Sequence, residues 1–118
     1  MARFRLSSPA RADIAQILAV SAERWGLESR RRYAALLAVA MRKVAAQPNG
    51  TATRDRADLS RGVRSFHLRH ARLDGETPVG QPVHVLFYRV VRPELVEIVR
   101  VLHERMEPSR HLGAESDD

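Results

Sequence analysis

The chain of 118 residues contains no cysteine, so a disulfide framework, a zinc site with thiolate ligands and a cysteine nucleophile are all excluded. No apolar run is long enough to cross a bilayer, and the N-terminal stretch MARFRLSSPAR lacks the apolar region of a secretory signal. The sequence also lacks a phosphate-cradling glycine loop, a GxSxG elbow and a convincing metal-ligand motif. We therefore expect a cytoplasmic protein that uses no membrane, metal or cofactor.

Lysine is almost absent as well, because 19 of the 20 basic residues are arginine and Lys43 is the single exception. With 14 acidic residues, the net charge is +6. Residues 113–118 hold three acidic and no basic side chains, so residues 1–112 alone carry +9. A surface this basic fits nucleic acid, an acidic partner protein or an acidic pocket in a larger assembly. We expect one domain over residues 1–112 and an acidic, disordered tail over 113–118.

The first half of the chain predicts a short strand followed by two amphipathic helices. Residues 3–6 are compatible with a strand, and Ser8-Pro9 has the pattern of an N-cap followed by proline at the first helical position. Apolar residues then recur at helical spacing up to Gly26, a typical helix stop. A second helix begins near Glu28 and ends at Pro48-Asn49-Gly50, whose turn chemistry is strong. Two such helices predict an antiparallel hairpin.

The second half of the chain predicts a β meander. Residues 51–62 are polar and without period, which indicates a loop. From Val63 the apolar period becomes two, which predicts a first strand there. A second strand is expected at 83–91, which is apolar on both faces and therefore central in the sheet. A third strand is expected at 95–102. A long hairpin loop is expected at 74–82, and Pro108 is expected to end the regular structure. The order predicts an α+β fold, β-α-α-β-β-β, with the helical hairpin on one face of a small antiparallel sheet.

Four sequence segments carry a resemblance to a known family. In order they are LSSPARADIAQILAVSAERWG, GVRSFHL, VHVLFYRV and the closing run EIVRVLHERMEPSRHL, which is the most specific of the four. Together they span about residues 3–112. On these segments the chain resembles the ParE branch of the RelE/ParE toxins of type II toxin–antitoxin systems. The resemblance implies the same fold, a helical hairpin against a small antiparallel sheet.

The resemblance also implies partners. Such toxins are held inactive by a co-expressed antitoxin, here ParD-like, whose disordered C-terminal segment folds across the toxin. The ParE branch inhibits DNA gyrase and so replication, and operator DNA is bound only through the antitoxin, since the chain carries no helix-turn-helix signature. We expect a toxin that acts by binding rather than by catalysis. A module that has lost its toxicity is a third interpretation.

The alternative target is the ribosome, on which the RelE branch cuts mRNA. The resemblance implies that Arg69 lies at an active-site position of that branch, and that His103 and Arg105 lie near the other basic position. These residue types supply the proton transfer and charge stabilisation that phosphoryl transfer requires. The C-terminal tyrosine of that branch is missing, which favours the gyrase interpretation.

Contact residues are expected in two groups. Target contacts are expected at Arg105, Arg110 and His111, in the closing run. Antitoxin contacts are expected on the helices and strands, at Trp25, Arg31, Tyr33, Arg64 and Arg100. The structural alternatives are that Trp25 covers the apolar seam of the hairpin, and that Arg64 and Arg100 lie on an exposed sheet face.

Overall fold

Two long helices and a five-stranded sheet make up the fold of the computed structural model, which describes residues 2–71 and 80–112. The elements are β1 (Arg3–Leu6), α1 (Ser8–Trp25), α2 (Leu27–Ala46), β2 (Thr53–Asp55), β3 (Val63–His67), a 3₁₀ turn (Leu68–His70), β4 (His84–Arg92), β5 (Leu95–His103) and α3 (Ser109–Leu112). The strands follow the order β1-β5-β4-β3-β2, so β4 is central, as its apolar faces predict. The α+β class is confirmed, and the predicted elements occur in the predicted order, with β2 and α3 in addition.

The N-terminus of α1 is capped one residue earlier than predicted. Ser7 is the cap: its backbone is extended, and its Oγ accepts the Ala10 N–H at 3.0 Å. Ser8 is therefore the first helical residue and Pro9 the second, so the predicted cap at Ser8 is wrong by one position. The Ser7 hydroxyl also donates to the Val99 carbonyl of β5 at 2.9 Å. This second hydrogen bond favours Ser7 over Ser8 as the N-cap. It joins residues 92 positions apart, so no local sequence pattern indicates it.

Gly26 forms the bend between the two helices, as predicted. Its φ of 95° lies in the left-handed region that favours glycine, and its N–H closes the end of α1 on the Ala22 carbonyl at 2.9 Å. The second helix begins directly at Leu27. It ends at Ala46, just before the predicted Pro48 turn, and the helical hairpin is confirmed.

Two features of the sheet were not predicted. Residues 53–55, inside the stretch expected to be a loop, form the edge strand β2 and pair with β3 from Thr53↔Phe66 onward. A three-residue polar strand that is paired on one side has no apolar alternation to reveal it. The strand β1 pairs with β5 in parallel, from Arg3↔Leu95 onward, so the sheet is mixed rather than wholly antiparallel. The helical hairpin supplies the crossover connection that parallel pairing requires.

The C-terminal end also differs from the prediction, since Pro108 does not end the regular structure. It precedes α3, and its carbonyl accepts the Leu112 N–H at 3.1 Å. Proline fits the start of a helix because the first turn needs no N–H from it. The expected tail over 113–118 lies outside the described residues, and so do residues 72–79, which include most of the hairpin loop expected at 74–82.

Both faces of the sheet are buried. The helices cover one face, with a core built from both helices and all long strands. A smaller core lies on the opposite face and includes Leu112 of α3. The helix-side core includes Leu37, Leu86, Tyr88 and Ile98, and the second core includes Val63, Phe87, Val99, Leu102 and Leu112. The short helix α3 is therefore part of the packed structure, and it sets where the closing run of the chain lies.

Candidate functional site

The C-terminal segment, residues 105–112, is anchored at its end and exposed along its length. Leu112 is 3% exposed in the second core. Arg105, Met106 and Arg110 are exposed, and Met106 is 46% exposed, which is high for a large apolar side chain. Two guanidinium groups and a thioether thus lie on a segment held in place by the fold. Both predicted target residues of this set, Arg105 and Arg110, face solvent.

An internal ion pair holds the carbonyl of the third predicted target residue, His111. Arg100 donates from Nε to Asp13 Oδ2 at 2.8 Å and from Nη2 to Asp13 Oδ1 at 2.9 Å, and its Nη1 donates to the His111 carbonyl at 3.1 Å. Asp13 Oδ2 also accepts the Val101 N–H at 2.9 Å. Both charged side chains are 15% exposed. The expectation that Arg100 lies on an exposed sheet face is therefore wrong, because α1 brings a carboxylate to the edge of β5.

The hairpin tip, residues 20–32, carries the two most exposed large apolar side chains of the described chain. Trp25 is 72% and Leu27 is 74% exposed, one on each side of Gly26. The alternative that Trp25 covers the seam of the hairpin is therefore wrong. Arg31 Nη2 contacts Glu28 Oε2 at 2.7 Å, and this hydrogen bond lowers the pKa of Glu28. The tip combines apolar and arginine side chains, the composition typical of protein-binding hot spots.

Tyr33 joins α2 to the start of β4. Its hydroxyl accepts the Val83 N–H at 3.3 Å and forms a second hydrogen bond with His84 Nδ1, 2.6 Å away. Burial, together with the charge of His103, lowers the pKa of His84 to about 4. Burial also raises the pKa of Tyr33. The structure thus gives Tyr33, a predicted antitoxin contact, a half-buried internal role.

The candidate nuclease residues lie around Glu104, at the ends of β3 and β5. His67 Nε2 is 2.7 Å from Glu104 Oε1, and this hydrogen bond lowers the pKa of Glu104, with further contributions from the charges of His67, His103 and Arg69. Each neighbouring histidine also accepts a backbone N–H at Nδ1: His67 from Arg69 and His103 from Arg105, both at 3.0 Å. Within the described ranges, no group of three or more potential ligands is placed to hold a metal ion.

Arg64 ties the loop after α2 to the sheet. Its Nε donates to the Pro48 carbonyl at 3.1 Å, and its Nη2 donates to Thr53 Oγ1 at 2.8 Å. The Tyr88 hydroxyl donates to the same Pro48 carbonyl at 2.6 Å. Arg64 is half-buried, so the expected exposed position is wrong, and its guanidinium has a role within the fold.

Comparison with known proteins identifies the family. The family model of ParE toxins of type II toxin–antitoxin systems (parDE) matches residues 4–108. The chain belongs to the ParE toxin family. It is therefore the toxin component of a type II toxin–antitoxin system.

Two curated relatives of this toxin span almost the whole chain. Toxin ParE1 of Caulobacter vibrioides is 37% identical over 114 residues, which cover 96% of this chain and 100% of the relative. Toxin ParE1 of Mycobacterium tuberculosis is 29% identical over 110 residues, covering 93% of this chain and 97% of the relative. The segments that carried the resemblance therefore belong to a likeness over the full domain.

A chain in the solved structure of a chromosomal ParDE TA system from P. aeruginosa has the same fold as the toxin. The TM-score is 0.61 at 17% identity, over 87% of this chain and 96% of the matched chain. The mixed sheet and helical hairpin are thus the architecture of a known structure. Within residues 2–71 and 80–112 of the toxin, no helix combines the length and apolar character that crossing a membrane requires.

Sequence reasoning missed four residues that shape these surfaces. Asp13 and Glu104 are carboxylates whose partners lie 87 and 37 residues away, so no local pattern marks them. Leu27 and Met106 are apolar residues, which a sequence pattern does not distinguish from core residues. The one available signal was the position of Leu27 two residues after Trp25, across the predicted helix bend at Gly26.

The stability of the toxin is expected to fall between pH 6.5 and pH 4. The unfolded chain binds a proton at His84 near 6.5 and the folded chain near 4, so the unfolded state binds more protons between these values. Acid therefore favours unfolding, by roughly 2 kcal/mol after allowance for solvent at this half-buried group. Urea titrations across this range measure the slope. In His84→Phe, which cannot titrate, most of the slope should disappear, and an unchanged slope would contradict the assignment.

Proposed function

We propose that this toxin inhibits DNA gyrase by binding, and that the C-terminal segment contacts the enzyme. The observation that carries the proposal is the exposed set Arg105, Met106 and Arg110 on a segment anchored by Leu112 and Arg100. Arginine and methionine on a fixed backbone suit a partner surface that is acidic and partly apolar. Gyrase is the target that the resemblance to the ParE branch implies.

Neutralisation is proposed to use the hairpin tip. Trp25, Leu27 and Arg31 offer an antitoxin two apolar anchors and a basic neighbour, which suits a segment that carries both apolar and acidic residues. Three more residues are expected as antitoxin contacts: Tyr33, Arg64 and Arg100. Each is partly buried and hydrogen-bonded within the toxin, so each would contact the antitoxin only through the exposed part of its side chain. Operator DNA would be bound through the antitoxin. A gyrase-directed toxin would act in the cytoplasm.

Purified toxin is expected to inhibit supercoiling by gyrase in vitro. The variant Arg105→Glu/Arg110→Glu should need at least about tenfold more protein for the same inhibition, because reversed charges oppose association with an acidic surface. The matched control is Arg92→Glu, a charge reversal at an exposed position where β4 ends, which should inhibit like the unmodified toxin. No inhibition by the unmodified toxin at micromolar concentration would remove the gyrase proposal.

A second candidate function is ribosome-dependent mRNA cleavage. The observation that favours it is the group of His67, His103 and Arg69 around Glu104, since histidine and carboxylate side chains can transfer protons during phosphodiester cleavage. Translation in vitro followed by primer extension tests it. Cuts in the ribosomal A site that disappear in His103→Gln would support the nuclease, whereas intact mRNA would exclude it.

A further inference from the structure

We propose that Asp13 and Arg100 are positioning residues for toxicity, because their ion pair fixes α3 and so orients the C-terminal segment. The inference rests on the proposed function of that segment as the target contact. The inference adds that the orientation of the C-terminal segment depends on the carboxylate of Asp13, which lies in α1 and not in the segment.

One guanidinium group joins three parts of the fold. Arg100 extends from β5, binds the Asp13 carboxylate of α1 with two parallel hydrogen bonds, and donates a third to the His111 carbonyl in α3. A bidentate arginine–carboxylate pair has a fixed geometry, so the direction of the third donor is also fixed. The Asp13 carboxylate is itself held by the Val101 N–H. The position of the His111 carbonyl in α3 is therefore fixed relative to α1, because Arg100 is hydrogen-bonded to both elements.

The helix α3 needs such an external support. It has only four residues, far fewer than a helix requires to persist in water by itself. Its described anchors are the packing of Leu112 against the second core and the hydrogen bond to His111. The packing of Leu112 holds the end of the segment against the sheet, but apolar packing does not fix an orientation. The hydrogen bond to His111 is directional and does. Loss of this hydrogen bond should therefore let α3 rotate or partly detach while Leu112 remains buried.

The variant Asp13→Asn tests the inference, since it removes the charge and one of the two paired acceptors while keeping an oxygen for Val101. Amide hydrogen exchange at residues 110–112 is expected to accelerate roughly tenfold, the order expected when a charged hydrogen bond is lost. Exchange in the middle of β4 should stay the same. The amount of toxin needed to arrest growth of a host culture should rise roughly tenfold, because the contact surface is no longer pre-oriented. Affinity for the antitoxin should fall by much less, because its proposed apolar anchors, Trp25 and Leu27, lie on the hairpin tip.

The matched control is Arg5→Gln, which breaks the more exposed ion pair of Arg5 Nε with Glu97 Oε2 at 3.2 Å on the same sheet. It should alter neither exchange at residues 110–112 nor growth arrest. A second variant, Arg100→Lys, keeps a positive charge beside Asp13 but lacks the guanidinium donor that reaches the His111 carbonyl, and it should also speed exchange at residues 110–112 and weaken growth arrest. It keeps the inference testable if Asp13→Asn does not fold.

Two outcomes would overturn the inference: unchanged exchange at residues 110–112 in Asp13→Asn, or faster exchange with undiminished growth arrest. Failure of the gyrase proposal is distinguishable from both, because growth arrest is measured without reference to the target. If the unmodified toxin leaves purified gyrase active but Asp13→Asn still loses its growth arrest together with the order of α3, the target is wrong and the positioning role stands.

Discussion

Leu37→Ala is expected to lower the free energy of unfolding by about 3 kcal/mol, within the usual range for such a change in a core. Leu37 is 1% exposed and lies in the helix-side core between α2 and the sheet. Alanine removes apolar surface from this core and leaves a cavity that the neighbouring side chains fill only in part. Because a domain of this size is stable by only about 5–15 kcal/mol, the loss should be evident in both urea and thermal unfolding.

The matched control is Leu27→Ala, the same substitution in the same helix at a side chain that is 74% exposed. Little apolar surface is lost from the core there, so the free energy of unfolding should change by less than about 0.5 kcal/mol. Similar losses in the two variants would mean that α2 does not pack through the face that contains Leu37. The pair therefore tests the orientation of α2 directly.

The parts of the fold that local patterns determine were predicted well. The apolar repeat of α2 gives its buried face, Gly26 gives the bend, and Pro48 gives the end of the hairpin. The apolar residues on both faces of β4 predict a central strand, and the structure buries β4 between the two cores. Each of these signals is contained within a few residues of the feature that it predicts.

The features that were missed depend on contacts between distant residues. The edge strand β2 exists because β3 offers hydrogen-bond partners, and its own residues show no strand period. The role of Arg100 depends on Asp13, and the role of Tyr33 depends on His84, 51 residues away. The exposure of Trp25 was equally hidden, since a tryptophan at a helix bend fits a core as well as a surface. Family resemblance supplied the fold and the class of function, but it does not select contact residues.

The two surfaces proposed for binding lie on different elements of the toxin. The hairpin tip belongs to the bend between α1 and α2, whereas the C-terminal segment follows β5 and is anchored on the second core. Substitutions at the hairpin tip should therefore leave the C-terminal segment intact, because distant sites without shared partners act additively. Antitoxin binding and growth arrest can consequently be impaired separately, which makes each assignment testable by itself.

Trp25→Ala is expected to weaken antitoxin binding by about 2–3 kcal/mol, equivalent to a roughly 30- to 150-fold higher Kd. A tryptophan that is 72% exposed in the free toxin contributes little to the fold, and its large apolar surface becomes buried only in a complex. Calorimetric titration of the toxin with its cognate antitoxin measures the change. Thermal unfolding of the free variant should match that of the unmodified toxin, since no core contact is removed.

Val90→Ala provides the control for this experiment, because Val90 is an exposed apolar side chain (44%) near the end of β4, on a different element from the hairpin tip. Its substitution should change the Kd by less than about twofold, as for most residues outside a hot spot. Arg31→Glu should act through charge, by slowing association and by reducing the dependence of the Kd on salt. Equal affinities of Trp25→Ala and Val90→Ala would exclude the hairpin tip as an anchor and would direct attention to the free edges of the sheet. A loss confined to Trp25 and Arg31 would instead explain why, among the residues that the structure describes, the two most exposed large apolar side chains lie at this bend.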